Sequence, residues 1–201
     1  LLIICFYLDG RYVLEWCAGA MISIFMAWFF TEKDVRLAIN QIAYTLLGVF
    51  YVAGLLGFFV LLRNLQEGPF LIFFVFIVIW LGDTAAYYAG RRFGKTRLAP
   101  HISPNKTVEG AIAGLGGSLL GGVAAKFWFL PIPLIHCLIV AIICGIIGQF
   151  GDLAESVLKR NTGTKDSGAL IPGHGGILDR LDSLMFAGPA FYFYYHWAIP
   201  N

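Results

Sequence analysis

Long apolar runs separated by short polar segments give the chain its pattern. A run of about 20 mostly apolar residues is long enough for an α-helix to cross a bilayer. Five such runs and a last, shorter aromatic run predict six membrane-spanning helices. They lie at residues 12–30, 39–62, 70–89, 107–127, 134–158 and 184–197. The pattern therefore predicts an all-α, polytopic transmembrane helical bundle.

The polar segments divide the predicted helices into two parts. Residues 1–68 read as N-terminal transmembrane helices, and residues 69–201 as a C-terminal transmembrane domain that holds most of the polar residues. The first ten residues, LLIICFYLDG, are apolar and have neither an initiating Met nor the basic region of a signal peptide. We expect them to be the end of an apolar segment that starts further upstream.

The composition agrees with a membrane protein. The chain is 59% hydrophobic and 13% charged, whereas a soluble domain is usually about 25% charged. Its four cysteines, Cys5, Cys17, Cys137 and Cys144, all lie in apolar runs and form no CxxC pair. We therefore expect buried thiols and no disulfide framework.

The basic residues are concentrated in two polar segments. Nine of the fourteen Lys and Arg residues lie within residues 91–106 and 159–182. The positive-inside bias predicts that both segments face the cytoplasm, so we expect a multi-pass cell-membrane protein whose polar cavity opens at the cytoplasmic face. The bases Arg91, Arg92, Lys95 and Arg97 are interpreted as topology signals or as binders of anionic lipid head groups.

The densest polar stretch, residues 148–183, holds five of the twelve acidic residues. Ionisable groups within a membrane protein are costly and usually functional. Asp152 and Ser156 are four residues apart and share a helix face, Lys159 continues that stripe, and Glu155 has the spacing to pair with Lys159. An acid, a hydroxyl and a lysine on one stripe suit a hard cation beside a phosphate.

The end of this stretch, GHGGILDRLD, is glycine-rich and then becomes helical. Glycines let the backbone approach a phosphate closely, and the helix N-terminus that follows attracts anions. Asp179 and Asp182 follow at i, i+3. If Asp179 meets Asp152 across the fold, the pair can bind one or two cations.

A second polar segment begins with Asp83, inside a predicted helix, and continues into the basic loop. We expect Thr107 to cap the next helix and Glu109 to suit its positive end. Lys106 lies in a constrained turn beside Ser103 and Thr107, and we expect it to contact a phosphate.

Residues 156–182 read SVLKRNTGTKDSGALIPGHGGILDRLD. This run resembles the signature of the phosphatidate cytidylyltransferases, the CDP-diacylglycerol synthases: S-x-apolar-K-R, then K-D, then P-x-H-G-G-apolar-x-D-R-apolar-D. Residues 83–110 resemble the same family through G-D-x-x-A-Y and S-P-x-K-T-x-E-G. The resemblance covers the last 120 residues well, and the first 70 by hydropathy alone.

The resemblance implies transfer of a cytidylyl group from CTP to phosphatidate, giving CDP-diacylglycerol and pyrophosphate for phospholipid biosynthesis. It implies dependence on Mg²⁺, with one or two cations bound. The expected partners are CTP, phosphatidate and membrane lipid, and no nucleic acid; a homodimer is left open.

Together with the residue chemistry, the resemblance predicts three groups of site residues. The catalytic group is Asp152, Asp179, Lys159, Lys165 and Asp166. The substrate-binding group is Ser103, Lys106, Thr107, Arg160, His174 and Arg180. The metal ligands are Asp152, Asp179, Ser156 and Asp83.

Two alternatives remain at this point. One is a related CTP-using membrane enzyme that acts on another lipid, such as a polyprenol kinase or an archaeal-lipid cytidylyltransferase; the intact K-R, K-D, H-G-G, D-R-x-D run favours phosphatidate. The other is a cation transporter with Asp83 and Asp152 as intramembrane ligands. Transporters often show internal repeats and broken helices at the midplane, whereas here the charges lie at one face and no repeat is visible.

Overall fold

The computed structural model describes residues 2–7, 12–31, 34–164, 167–168 and 176–199. Within these ranges the chain is mainly helical, which confirms the prediction of a helical bundle. The chain divides into two compact units, Leu1–Gln66 and Glu67–Asn201.

The first unit consists of consecutive helical segments. They are α1 (Leu2–Tyr7), α2 (Val13–Phe29), a 3₁₀ turn (Val35–Leu37), α3 (Ala38–Gly48), a π-helical segment (Val49–Gly54) and α4 (Leu55–Asn64). The last four form one apolar rod of 30 residues, Val35–Asn64. The Phe6 ring packs on Phe58 and covers Gly57, so α1 lies against α4 where a larger residue than glycine would leave no room.

The second unit contains four long helices and a short hairpin. They are α5 (Gly68–Phe93), β1 (Arg97–Ala99), β2 (Ser103–Thr107), α6 (Val108–Trp128), α7 (Leu134–Asn161) and α8 (Leu178–Ala198). The most extensive helix contact joins α5 to α6, and α7 packs on both α6 and α8. Phe74 of α5 and Phe191 of α8 meet in the core with ring centroids 5.4 Å apart.

The hairpin is a feature that the sequence analysis missed. β1 and β2 are antiparallel, with Arg97 opposite Thr107 and Ala99 opposite Ser103. The strands are short, lack the period-2 alternation of a half-buried strand and include Pro104, so the sequence pattern indicated only a loop. The Arg97 guanidinium donates a hydrogen bond to the Pro104 carbonyl and ties the strands together. β2 ends at Thr107, and α6 begins at the next residue.

Four helices among the described residues are long and apolar enough to cross a membrane, which confirms the multi-pass prediction. They are Val35–Asn64, Gly68–Phe93, Val108–Trp128 and Leu134–Asn161. Six spans were predicted, and two fall short. The first corresponds to α2, an apolar helix of only 17 residues. The last corresponds to α8, which has 21 residues but carries Asp179, Arg180 and Asp182 in its first two turns.

The small residues of α6 let it approach α5 closely. A Cβ atom added at Gly117 would lie 2.5 Å from the Leu81 carbonyl oxygen, and one added at Gly121 would lie 3.1 Å from the Ile77 carbonyl oxygen. The buried Ser118 hydroxyl donates to the Val78 carbonyl at 3.1 Å. This is the close helix contact that small residues favour in membrane bundles.

Candidate active site

A polar cavity of about 700 Å³ lies in the second unit, between its four long helices and the hairpin. Four acidic and four basic side chains line it. They are Asp83, Asp152, Asp179 and Asp182, and Arg91, Lys95, Arg97 and Lys106. The two polar segments of the sequence therefore meet in a single cavity.

Asp152 forms an ion pair with Lys106 across this cavity. The Lys106 Nζ lies 2.6 Å from the Asp152 Oδ2, and the two side chains are 23% and 36% exposed. Lys106 comes from β2 and Asp152 from α7, so the pair joins the hairpin to the helical core. The sequence predicted a phosphate contact for Lys106 and a cation for Asp152; in this structure the two residues neutralise each other.

Lys159 bridges two carboxylates. Its Nζ lies 2.7 Å from the Glu155 Oε2 and 2.6 Å from the Asp179 Oδ1. The pairing of Glu155 with Lys159, predicted from their i, i+4 spacing, is confirmed. Glu155 is fully buried, and its Oε1 has no hydrogen-bond partner among the described residues. Lys159 thus ties α7 to the start of α8.

Asp179 binds two described residues of the segment between α7 and α8, Ser167 and Gly176. Its Oδ2 accepts hydrogen bonds from the Ser167 amide at 2.9 Å, the Ser167 hydroxyl at 2.7 Å and the Gly176 amide at 2.7 Å. Burial alone would raise the pKa of Asp179, but the bonds from Lys159, Ser167 and Gly176 hold this pKa below its usual range.

Asp182 is a site residue to which the sequence analysis gave no role. It lines the cavity one turn after Asp179. Burial, and then the negative charge of Asp152, raise the pKa of Asp182 to about 7, with smaller contributions from Glu155 and Asp83. Its i, i+3 spacing from Asp179 was the signal that could have revealed it.

The described part of the chain contains no group of three or more His, Cys, Asp or Glu side chains arranged to hold a metal ion. The two main predicted ligands are instead engaged by lysines, Asp152 by Lys106 and Asp179 by Lys159. Asp83 and Asp152 line the same cavity and lie close enough for their charges to interact. The cavity therefore brings the predicted carboxylates together, with lysines as their present counter-ions.

The amino-acid sequence matches a known protein family. Residues 1–198 match the cytidylyltransferase family. This chain belongs to that family. It is 44% identical to the phosphatidate cytidylyltransferase of Bacillus subtilis (strain 168) over 156 residues, which cover 77% of this chain and 58% of the relative.

Two staphylococcal relatives with the same name are similar to this chain to the same degree. The chain is 45% identical over 171 residues to the phosphatidate cytidylyltransferases of Staphylococcus saprophyticus and Staphylococcus haemolyticus, and the match covers 85% of this chain and 65% of each relative. In all three cases the matched chain spans less than two thirds of the relative's length.

The remaining predicted residues of this cytidylyltransferase-family chain lie around the hairpin and on α7. Thr107 caps α6 as predicted, because its hydroxyl accepts a hydrogen bond from the Gly110 amide at 3.2 Å. Ser103 begins β2. The Arg160 Nε donates to the Ile102 carbonyl at 3.4 Å, so the end of α7 also holds the hairpin turn.

Two further predicted residues lie elsewhere on α7 and α8. Ser156 is buried on α7 and Arg180 lies in the first turn of α8, and neither is among the described residues that line the cavity. The predicted residues Lys165, Asp166 and His174 lie outside the described residues.

Removing the Lys159 charge should destabilise the protein strongly. In Lys159→Met the Glu155 carboxylate stays buried without its cation, a change that typically costs about 3–5 kcal/mol. We expect the melting temperature of the detergent-solubilised protein to fall by about 10 °C. The double variant Glu155→Met/Lys159→Met should recover much of this loss, since an apolar pair often replaces a buried ion pair without penalty. A double variant that melts as low as the single one would contradict this account.

Proposed function

We propose that the protein containing this chain transfers a cytidylyl group from CTP to phosphatidate, giving CDP-diacylglycerol and pyrophosphate. The observation that carries the proposal is the single cavity in which Asp83, Asp152 and Lys106 meet. It supports the proposal because the chain's relatives are named phosphatidate cytidylyltransferases, and because a cavity that mixes acids and bases suits a reaction between two phosphates.

The reaction joins two anions. A phosphate oxygen of phosphatidate attacks the α-phosphorus of CTP and forms a new P–O bond. The bond from that phosphorus to the oxygen bridging to the β-phosphate breaks, and pyrophosphate leaves with the electron pair. Such transfers depend on positioning and charge neutralisation rather than on covalent help from the protein. We assign these roles to the basic residues of the cavity and its surroundings.

The carboxylates of the cavity suit Mg²⁺. Asp83, Asp152 and Asp182 offer hard oxygen ligands, and their neighbouring negative charges favour a cation between them. Mg²⁺ is usually held by one or two carboxylates together with substrate phosphates, so the site does not require a complete protein cage. We propose one or two Mg²⁺ ions on Asp152, with Asp83, Asp179 or Asp182 as further ligands. Bound there, Mg²⁺ would neutralise charge on the reacting phosphates.

The lysines gain a role when the carboxylates hold a cation. Lys106 and Lys159 are then no longer needed to neutralise Asp152 and Asp179, and their ammonium groups can bind phosphate oxygens as point charges. Arg160, which already contacts the hairpin, lies beside Lys159 in sequence and adds a further positive charge. The ion pairs seen in the structure thus keep the bases in place before substrate binds.

We also propose that the cavity opens to the cytoplasm for CTP and sideways to the lipid for phosphatidate. A lateral opening is favoured because moving two acyl chains into water would cost about 0.8 kcal/mol for each CH₂ group. The basic character of residues 91–106 supports the cytoplasmic side.

Radiolabelled CTP tests the function directly. We expect the purified full-length protein, in mixed micelles containing phosphatidate and Mg²⁺, to transfer label from α-³²P-CTP into lipid and to release one pyrophosphate for each lipid labelled. EDTA should abolish the transfer. A polyprenol kinase would instead release CDP and label no lipid from α-³²P-CTP. A transporter would give cation flux in liposomes without any lipid label, and either result would overturn the proposal.

A further inference from the structure

Three basic side chains form a rim on the cavity. The sequence analysis interpreted them as topology signals or lipid-binding residues. They are Arg91 in the last turn of α5, Lys95 in the following linker and Arg97 in β1, and all three line the cavity. Arg92 is the useful contrast, since it is not among the lining residues and places its guanidinium over the Phe93 ring. A topology signal requires only the right side of the membrane, so it does not explain why the rim residues face a cavity.

Among the described residues, no acid forms an ion pair with the rim. None of Arg91, Lys95 and Arg97 forms an ion pair with an acid in the described part of the chain, whereas Lys106 and Lys159 each do. Neutral oxygens orient the two arginines instead. The Arg91 Nη1 donates to the Tyr87 hydroxyl at 3.3 Å, and the Arg97 guanidinium donates to the Pro104 carbonyl. The rim thus keeps its positive charge while its arginines are held in place.

The backbone that carries the rim is also fixed. The Glu109 carboxylate, in the first turn of α6, accepts hydrogen bonds from the Lys95 amide at 3.1 Å and from the Thr96 amide at 3.2 Å. The Thr96 carbonyl in turn accepts from the Val108 amide at 2.9 Å. A binding site loses less entropy when its groups are already ordered, so this bracing favours a binding role for the rim.

The rim lies apart from the acidic end of α5. Asp83 and Arg91 are eight residues apart on α5, which corresponds to about 12 Å along the axis. Tyr87 lies between them in sequence, and its hydroxyl accepts a hydrogen bond from the Arg91 guanidinium. A ligand that has a cation-bound phosphate at one end and further phosphates at the other matches this separation.

From this geometry we infer that the rim of Arg91, Lys95 and Arg97 binds the β- and γ-phosphates of the nucleotide, and then the pyrophosphate product. This inference rests on the proposed function and adds a subsite to it. The α-phosphate lies toward Asp83 and Asp152, and the terminal diphosphate lies toward the rim. Arginine suits this task because its planar fork can donate two hydrogen bonds to one phosphate.

Arg91→Gln and Arg92→Gln form a matched pair of variants, because each removes one positive charge from the same turn of α5. Binding of ³²P-labelled pyrophosphate to the purified full-length protein, in detergent with Mg²⁺, gives a readout that needs no turnover. We expect pyrophosphate to bind about tenfold more weakly to Arg91→Gln, the loss typical of one charge-assisted hydrogen bond. Arg92→Gln should bind as the wild type does, and Arg91→Lys should regain part of the loss.

Kinetics separate the two possible sources of phosphate. Arg91→Gln should raise the KM for CTP about tenfold and leave the KM for phosphatidate unchanged. A change confined to the phosphatidate KM would assign the rim to the lipid phosphate and overturn the inference. Equal pyrophosphate affinity in Arg91→Gln and wild type would also overturn it, provided that both proteins melt at the same temperature. If the wild-type protein labels no lipid from CTP, the proposed function itself fails, whereas the pyrophosphate measurement still tests the rim by itself.

Discussion

Replacing Asp152 with Asn should abolish cytidylyl transfer while leaving the protein folded. The substitution keeps the shape of the side chain but removes the negative charge that pairs with Lys106 and, in our proposal, holds the cation. Because charge neutralisation supplies most of the catalysis in such a reaction, we expect turnover to fall by on the order of 10³-fold. The measurement is lipid labelling from α-³²P-CTP at saturating Mg²⁺.

The fold should tolerate this change because Asp152 is partly exposed and sits in a polar cavity. Glu67→Gln is a matched control that removes one negative charge just before α5, outside the described lining of the cavity. It should keep full activity. An Asp152→Asn protein that retains wild-type turnover would remove Asp152 from the reaction.

A methyl group added at Gly117 should impair the proposed activity without touching the substrate. An added Cβ would lie 2.5 Å from the Leu81 carbonyl oxygen and 2.7 Å from the Ala85 Cβ, so α5 and α6 must move apart. Overpacking of this kind costs about 1–3 kcal/mol, and a shift of about 1 Å between reacting groups can lower the rate about 10²-fold. We expect Gly117→Ala to lose activity on that scale, and bulkier residues to lose more.

Gly116 provides the control for this prediction. It is the adjacent residue on α6, and an added Cβ there meets no atom within 4 Å. Gly116→Ala should therefore retain activity, and its melting temperature should stay level or rise because alanine favours a helix over glycine. Equal losses in the two variants would show that the spacing of α5 and α6 does not explain the effect.

Local rules explain what the sequence predicted correctly. Hydropathy located the four helices that can cross a membrane, because the thickness of the bilayer sets the length of an apolar run. The Thr107 cap and the Glu155–Lys159 pair join residues three and four positions apart, and helix geometry alone brings such residues together. Asp152 and Ser156, which are also four positions apart, both lie on α7 as predicted.

The contacts that shape the cavity could not be read in this way. Lys106 meets Asp152, and Lys159 meets Asp179, although the partners of each pair are far apart in sequence. No local spacing predicts such pairs, since several acids in the chain were equally available to each lysine. The hairpin escaped prediction for a related reason, because its short strands gain their order from Glu109 and Arg160 on neighbouring helices.

The sequence by itself therefore determined the helical class, the helix positions and which residues carry charge. Those properties depend on composition and on spacing within a single turn or a single apolar run. The tertiary structure decided that Arg91 and not Arg92 lines the cavity, that Asp182 joins the acidic group, and that Lys106 neutralises Asp152. The physical reason is that electrostatic contacts act over a few ångströms, and only the close packing of α5 on α6 and of α7 on α8 sets those distances.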